Sequence, residues 1–103
     1  MQSRNKKAPT ADEGRYIVLV KLQPCSVCDA GGGEAAPSDA HEINQGQWFT
    51  AVALCHSCHQ GPLLGLHGQR RMWILKKMTE IDALAVTVRR VFLEITASRP
   101  GVV

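Results

Sequence analysis

Two cysteine pairs, Cys25/Cys28 and Cys55/Cys58, constrain this chain more than any other feature. A CxxC spacing puts two thiolates on one knuckle of backbone, and two such pairs can close a tetrahedron around one zinc ion. A lone CxxC suits a redox dithiol, whereas two of them at this spacing point to structural zinc. The opening residues MQSRNKKAP are basic and polar, with no apolar h-region behind them. The expectation is therefore a soluble cytoplasmic protein, in which paired cysteines serve metal chemistry rather than disulfides. At 103 residues the chain is long enough for one domain with a modest core, which a structural metal would reinforce.

The formal net charge of +3 is compatible with a polyanionic partner without demanding one. No apolar run approaches the length of a membrane span, so no membrane partner is expected. Residues 1–14 read as a flexible basic tail. Tyr16-Ile17-Val18-Leu19-Val20 is aliphatic and β-branched, which predicts a short strand leading to the first cysteine pair. Gly31-Gly32-Gly33 lies in a loop that lacks the lysine and the strand–helix setting of a phosphate-binding loop. Ala40–Ile43 and Trp48–Leu54 flank the turn Asn44-Gln45-Gly46-Gln47 and read as a β-hairpin.

The second cysteine pair falls at a strand-to-helix junction that Gly61-Pro62 must break. From Gln69 to Ala97 the pattern is helical. Ile74, Met78, Ile81, Ala85, Val88, Phe92 and Ile95 recur in steps of four and three and form one apolar stripe. Thr79 with Asp82 reads as an N-cap dividing this stretch into two helices. The stripe is expected to be core that covers the hairpin and knuckle, with a homodimer seam as the alternative. Trp48 and Trp73 are expected in the core or an interface.

Four zinc cysteines leave the histidines spare: His41, His56, His59 and His67. His56, between zinc cysteines, is expected to be exposed. His41 on the first hairpin strand and His59 at the helix start can face each other across a hairpin–helix cleft. Imidazoles and carboxylates there suit a second divalent metal, whether magnesium, manganese, nickel or zinc. Such a site suits phosphodiester hydrolysis, with a nearby base activating water. Other readings stay open: His59 as a replacement zinc ligand, His67 as a loop residue bonded to backbone, and His41 as an ordinary strand histidine.

Cys25-Ser26-Val27-Cys28, then Asp39-Ala40-His41-Glu42-Ile43, then Leu54-Cys55-His56-Ser57-Cys58-His59 together resemble the HNH, or ββα-metal, nuclease family. The approach Trp48–Cys55 and the segment Gly65-Leu66-His67-Gly68 are similar to phage and prophage members of the recombination-associated kind. The resemblance spans Pro24 to Gly68. It implies an α+β fold: a small treble-clef-like zinc domain over 15–68, followed by one or two C-terminal helices over 69–98. It also implies a metal-dependent DNA endonuclease or nickase acting in the bacterial cytoplasm. Cys25, Cys28, Cys55 and Cys58 would hold structural zinc. His59, with His41 and His67, would hold the catalytic metal.

Two alignments of the hairpin remain. If Ile43 is the family's apolar residue, His41 is a ligand and Glu42 takes the base position. If His41 is the base, Ala40 falls at the ligand position. Thr50 lies near the place of the asparagine that commonly orients the base. Arg70, Arg71, Lys76 and Lys77, with Arg89 and Arg90, are candidates for phosphate contacts. Two other functions compete: a non-catalytic zinc module that binds nucleic acid, and a phage-encoded factor that captures a host protein through its apolar helix.

Overall fold

Thr10 opens the first described helix with a reciprocal cap. Its hydroxyl accepts from the Glu13 amide at 3.2 Å, and the Glu13 carboxylate accepts from the Thr10 amide at 2.8 Å. Helix α1 (Ala11–Lys21) follows, with Asp12 and Glu13 in its first turn and Lys21 in its last. The strand expected at 16–20 is therefore helix, and the tail expected over 1–14 gives way to helix at Ala11. The computed structural model describes residues 8–97, so the basic part of that tail lies outside the described residues. The β-branched run was misleading because tertiary packing outweighs a weak strand propensity. Val20 is fully buried against Ala53 and Val91, and the Tyr16 hydroxyl donates to the Ala51 carbonyl at 3.0 Å.

The hairpin forms as expected, except that Trp48–Thr50, expected at the start of its second strand, is a 3-10 turn. Strands β1 (Asp39–Glu42) and β2 (Ala51–Leu54) pair antiparallel, with Asp39 opposite Leu54 and His41 opposite Val52. The turn is closed by Thr50, whose hydroxyl accepts from the Asn44 amide at 3.1 Å and donates to the Gln47 carbonyl at 2.7 Å. All four β2 residues are buried. Alternation along the strand sends Val52 and Leu54 to one face and Ala53 to the other. Val52 and Leu54 pack with Cys25, Val27, Cys58, Trp73 and Ala83, while Ala53 meets α1. Cross-strand partners share a face, so Asp39 and His41 lie on the side of the cysteines.

Helix α2 (His56–Gln60) opens on the second cysteine pair, as expected. Helices α3 (Arg71–Lys76) and α4 (Glu80–Ala97) complete the chain. The Thr79 hydroxyl accepts from the Asp82 amide at 3.2 Å, and the Asp82 carboxylate accepts from the Thr79 amide at 2.9 Å. That exchange starts α4 and confirms the division into two helices.

Apart from Met78, which packs against the core, the apolar stripe does not form the core. Helix α4 buries Ala83, Thr87 and Val91 instead. Small side chains let the helix approach β2 closely enough for the Ala53 amide to donate to the Thr87 hydroxyl at 3.2 Å. The bulkier Ile81, Val88, Phe92 and Ile95 face outward. Trp73 is buried in the core as expected, its indole N–H donating to the Cys58 carbonyl at 3.0 Å. The described chain is a small α+β structure with a two-stranded hairpin, and none of its helices is long and apolar enough to cross a membrane.

Candidate metal centres

Cys25, Cys28, Cys55 and Cys58 converge, their sulfurs all within 4.8 Å of one another. The Cys28 and Cys55 sulfurs are 3.7 Å apart, far beyond a disulfide, and all four thiols are free. A tetrahedron with zinc–sulfur arms of about 2.3 Å has edges close to about 3.8 Å, so the cluster fits a structural zinc. Local backbone prepares the sulfurs. The Cys25 sulfur accepts from the amides of Val27 at 3.4 Å and Cys28 at 3.5 Å. The Cys55 sulfur caps α2 by accepting from the Cys58 amide at 3.4 Å.

The thiols differ in acidity. Burial pushes Cys25 up, but backbone hydrogen bonds from Cys55, Cys28 and Val27 outweigh it and leave the thiol below its ordinary value. Burial raises Cys28 and Cys58, and the neighbouring sulfurs raise both further. Four thiolates packed this closely therefore need a cation among them.

The knuckle is braced from α4. The Arg90 guanidinium donates to the Pro24 and Cys25 carbonyls at 3.3 Å each and to the Asp29 carboxylate at 2.6 Å. That hydrogen bond is the first cause of the lowered Asp29 pKa; slight burial opposes it, and the fields of Arg90 and Lys76 add to it. Arg90, proposed from the sequence as a phosphate contact, is thus committed to the zinc knuckle.

A second cluster joins His41, His59 and His67, each offering one ring nitrogen within 4.8 Å of the others. Their ring centroids are 5.0 to 5.6 Å apart. They line an open cleft of about 370 Å³ together with Ala40, Glu42 and Gln45. β1 carries His41, and α2 carries His59. The loop after α2 returns His67 over α2, with the Leu66 amide donating to the Cys58 carbonyl at 2.8 Å and the His67 amide to the His59 carbonyl at 3.4 Å. Glycine permits this fold-back: a Cβ on Gly65 would lie 2.4 Å from the Gly61 carbonyl oxygen, and one on Gly68 would lie 2.6 Å from it.

Carboxylates hold two of the three rings from behind. His59 Nδ1 lies 3.1 Å from the Asp39 carboxylate, and His41 Nε2 lies 2.7 Å from the Glu80 carboxylate. An ionised carboxylate only accepts, so each of these nitrogens carries the proton. In the neutral ring this tautomer puts the lone pair on His59 Nε2 and His41 Nδ1, the state a metal ligand needs. Sequence reasoning found the three histidines but not these partners. Asp39 had a legible signal, two residues from His41 on the same strand face. Glu80 had none, because it arrives from a helix 39 positions away in sequence.

Glu42 lies at the rim of the same cleft, its carboxylate accepting from the Gly46 amide at 3.1 Å. His56 is exposed, as expected. Arg70, Arg71, Lys76, Lys77 and Arg89 are exposed, and Arg71 donates to the Gln69 side chain at 3.1 Å. Arg70 and Lys77 adopt left-handed backbone at the two ends of α3. Comparison with known proteins finds no match to a protein family, a curated protein or a solved structure.

Proposed function

We propose that this chain is a metal-dependent DNA endonuclease or nickase built on a treble-clef-like ββα-metal frame of the HNH type. The observation that carries the reading is the convergence of His41, His59 and His67 on one open cleft beside the cysteine cluster. Three imidazoles on a concave surface leave coordination positions open, unlike the closed cysteine site. A divalent cation bound there would supply Lewis-acid stabilisation to a phosphate oxygen and the leaving oxygen. His41 and His59 serve as ligands held by Glu80 and Asp39, and His67 completes the set. This favours the alignment in which His41 is a ligand and Glu42 is the base.

Glu42 at the cleft edge then takes the proton of the attacking water, and the Gly46 amide orients its carboxylate. Arg70, Arg71, Lys76 and Lys77 are exposed cations available to flanking phosphates. The family likeness further suggests a phage or prophage origin and action in the bacterial cytoplasm. A second reading, a zinc module that binds nucleic acid without cutting it, draws on the departure from the family's usual hairpin pair, with Glu42 at the base position in one alignment or Ala40 at the ligand position in the other.

Supercoiled plasmid separates the two. Zinc-loaded protein is incubated with magnesium, manganese or nickel, beside His59→Ala and Glu42→Gln variants whose folding is checked by circular dichroism. The nuclease reading expects metal-dependent nicking, abolished in His59→Ala and reduced about a hundredfold or more in Glu42→Gln. Intact plasmid with every metal, together with salt-sensitive DNA retention, would select the binding module.

A further inference from the structure

Helix α4 has two apolar faces, and among the described residues only one is packed into the domain. Ala83, Thr87 and Val91 are buried against the domain. On the other face Ile81 is 65%, Val88 45% and Phe92 61% exposed, with Ala85 exposed among them. These residues step by four and three along the helix, the 3.5-residue period of a two-helix seam. A continuous apolar stripe of this length on a surface helix marks an interface.

We propose that this face is the contact of an antiparallel dimer with a second copy of this chain. The stripe is complementary to itself when run in reverse. Setting Ala85 opposite Val88 of the second copy also sets Ile81 opposite Phe92. Every layer then pairs one seam residue with another, and the smallest side chain meets a β-branched one at the centre. The charges agree with this direction. Asp82 and Arg89 lie on the same flank, each directly after a seam residue, Ile81 and Val88. In the antiparallel pair Asp82 of each chain lies within reach of Arg89 of the other, giving opposite charges on both sides of the two-fold axis. A parallel pair would instead set Arg89 against Leu84.

The dimer has a consequence for the histidine clefts. Glu80, which holds His41, begins α4, so in an antiparallel pair the two copies of Glu80 sit at opposite ends of the seam. They are separated by about 20 Å along its axis, from 1.5 Å of rise per residue. The dimer would thus carry two clefts in a fixed relation.

Sedimentation equilibrium of the zinc-loaded 103-residue chain tests the interface. The expected result is a monomer–dimer equilibrium. Val88→Asp and Phe92→Glu, both at exposed positions, should each weaken it by about thirtyfold or more, the size of a hot-spot loss, with zinc content and helicity retained. A protein that stays monomeric up to about 1 mM, or a dimer indifferent to both substitutions, overturns the proposal. Direction is read by a benzophenone amino acid placed at Ile81. Crosslinks into the tryptic peptide beginning at Val91 support the antiparallel seam, because Phe92 of the same chain is about 16 Å away along the helix. Crosslinks only into the partner's copy of the peptide beginning at Met78 overturn it.

Discussion

Asp39 and Glu80 each grip a histidine through one ring nitrogen, at 3.1 Å and 2.7 Å, and the proposed metal would use the other nitrogen. Such carboxylates fix the tautomer and raise the basicity of the free nitrogen, and losing one typically lowers metal affinity about 10- to 100-fold. Asp39→Ala and Glu80→Gln should therefore each weaken manganese or nickel binding to zinc-loaded protein by that factor in calorimetric titration. The cysteine site should stay filled. Affinity unchanged in both variants would mean that the histidine cluster does not bind metal through the nitrogens assigned here. Glu80→Gln is the milder change, since the amide can still accept from His41, and it should fall at the lower end of the range.

Among the elements, α4 depends most on its first turn. The Thr79 and Asp82 exchange satisfies amides that would otherwise lack partners, and Thr79→Ala should cost about 1 kcal/mol in denaturant unfolding. The same contact lowers the Asp82 pKa, first through the Thr79 amide and then through its hydroxyl, with burial opposing only weakly. A depressed carboxylate contributes stability above its unfolded value of about 3.9, and that contribution is lost as pH falls through the folded value. Carboxyl NMR should place the Asp82 midpoint below that unfolded value, and Thr79→Ala should move it back up. A midpoint unmoved by the substitution would remove the cap from the account. Helix α1 carries a similar device at Thr10 and Glu13, whose T-x-x-E spacing was readable before the fold was known. The apolar run at 16–20 drew attention to strand propensity instead, and the cap was the better guide to local structure.

At the scale of the whole molecule, the cysteine cluster ties together parts that a small core could not hold alone. The first pair sits on a knuckle braced by Arg90, and the second opens α2 beneath β2 and Trp73. Removing zinc with a strong chelator should therefore unfold the hairpin and α2 together. The change should be visible as lost near-ultraviolet signal and altered tryptophan fluorescence, and zinc should restore both. Because burial and neighbouring sulfurs raise Cys28 and Cys58, zinc must displace protons to bind. Zinc affinity measured by chelator competition should then fall as pH drops. Retention of native signals after complete zinc removal would show that the hydrophobic core suffices.

Some of this was legible in the sequence because the determinants are local. Two CxxC spacings fixed the zinc cluster, the polar turn at 44–47 fixed the hairpin, and Thr79 with Asp82 fixed the boundary between α3 and α4. The facing of His41 and His59, whose ring centroids lie 5.0 Å apart, is legible because one sits on the hairpin strand and the other at the start of the helix that follows it. Other features depended on which surfaces meet. Glu80 reaches His41, and Arg90 reaches the knuckle, only because α4 lies across β2. The bulky stripe of α4 points outward because the close contact with β2 accepts Ala83 and Thr87 and excludes larger side chains. Spacing along a chain records which residues share a face; which face is buried depends on the volume left by its neighbours, and that exists only once the chain has packed.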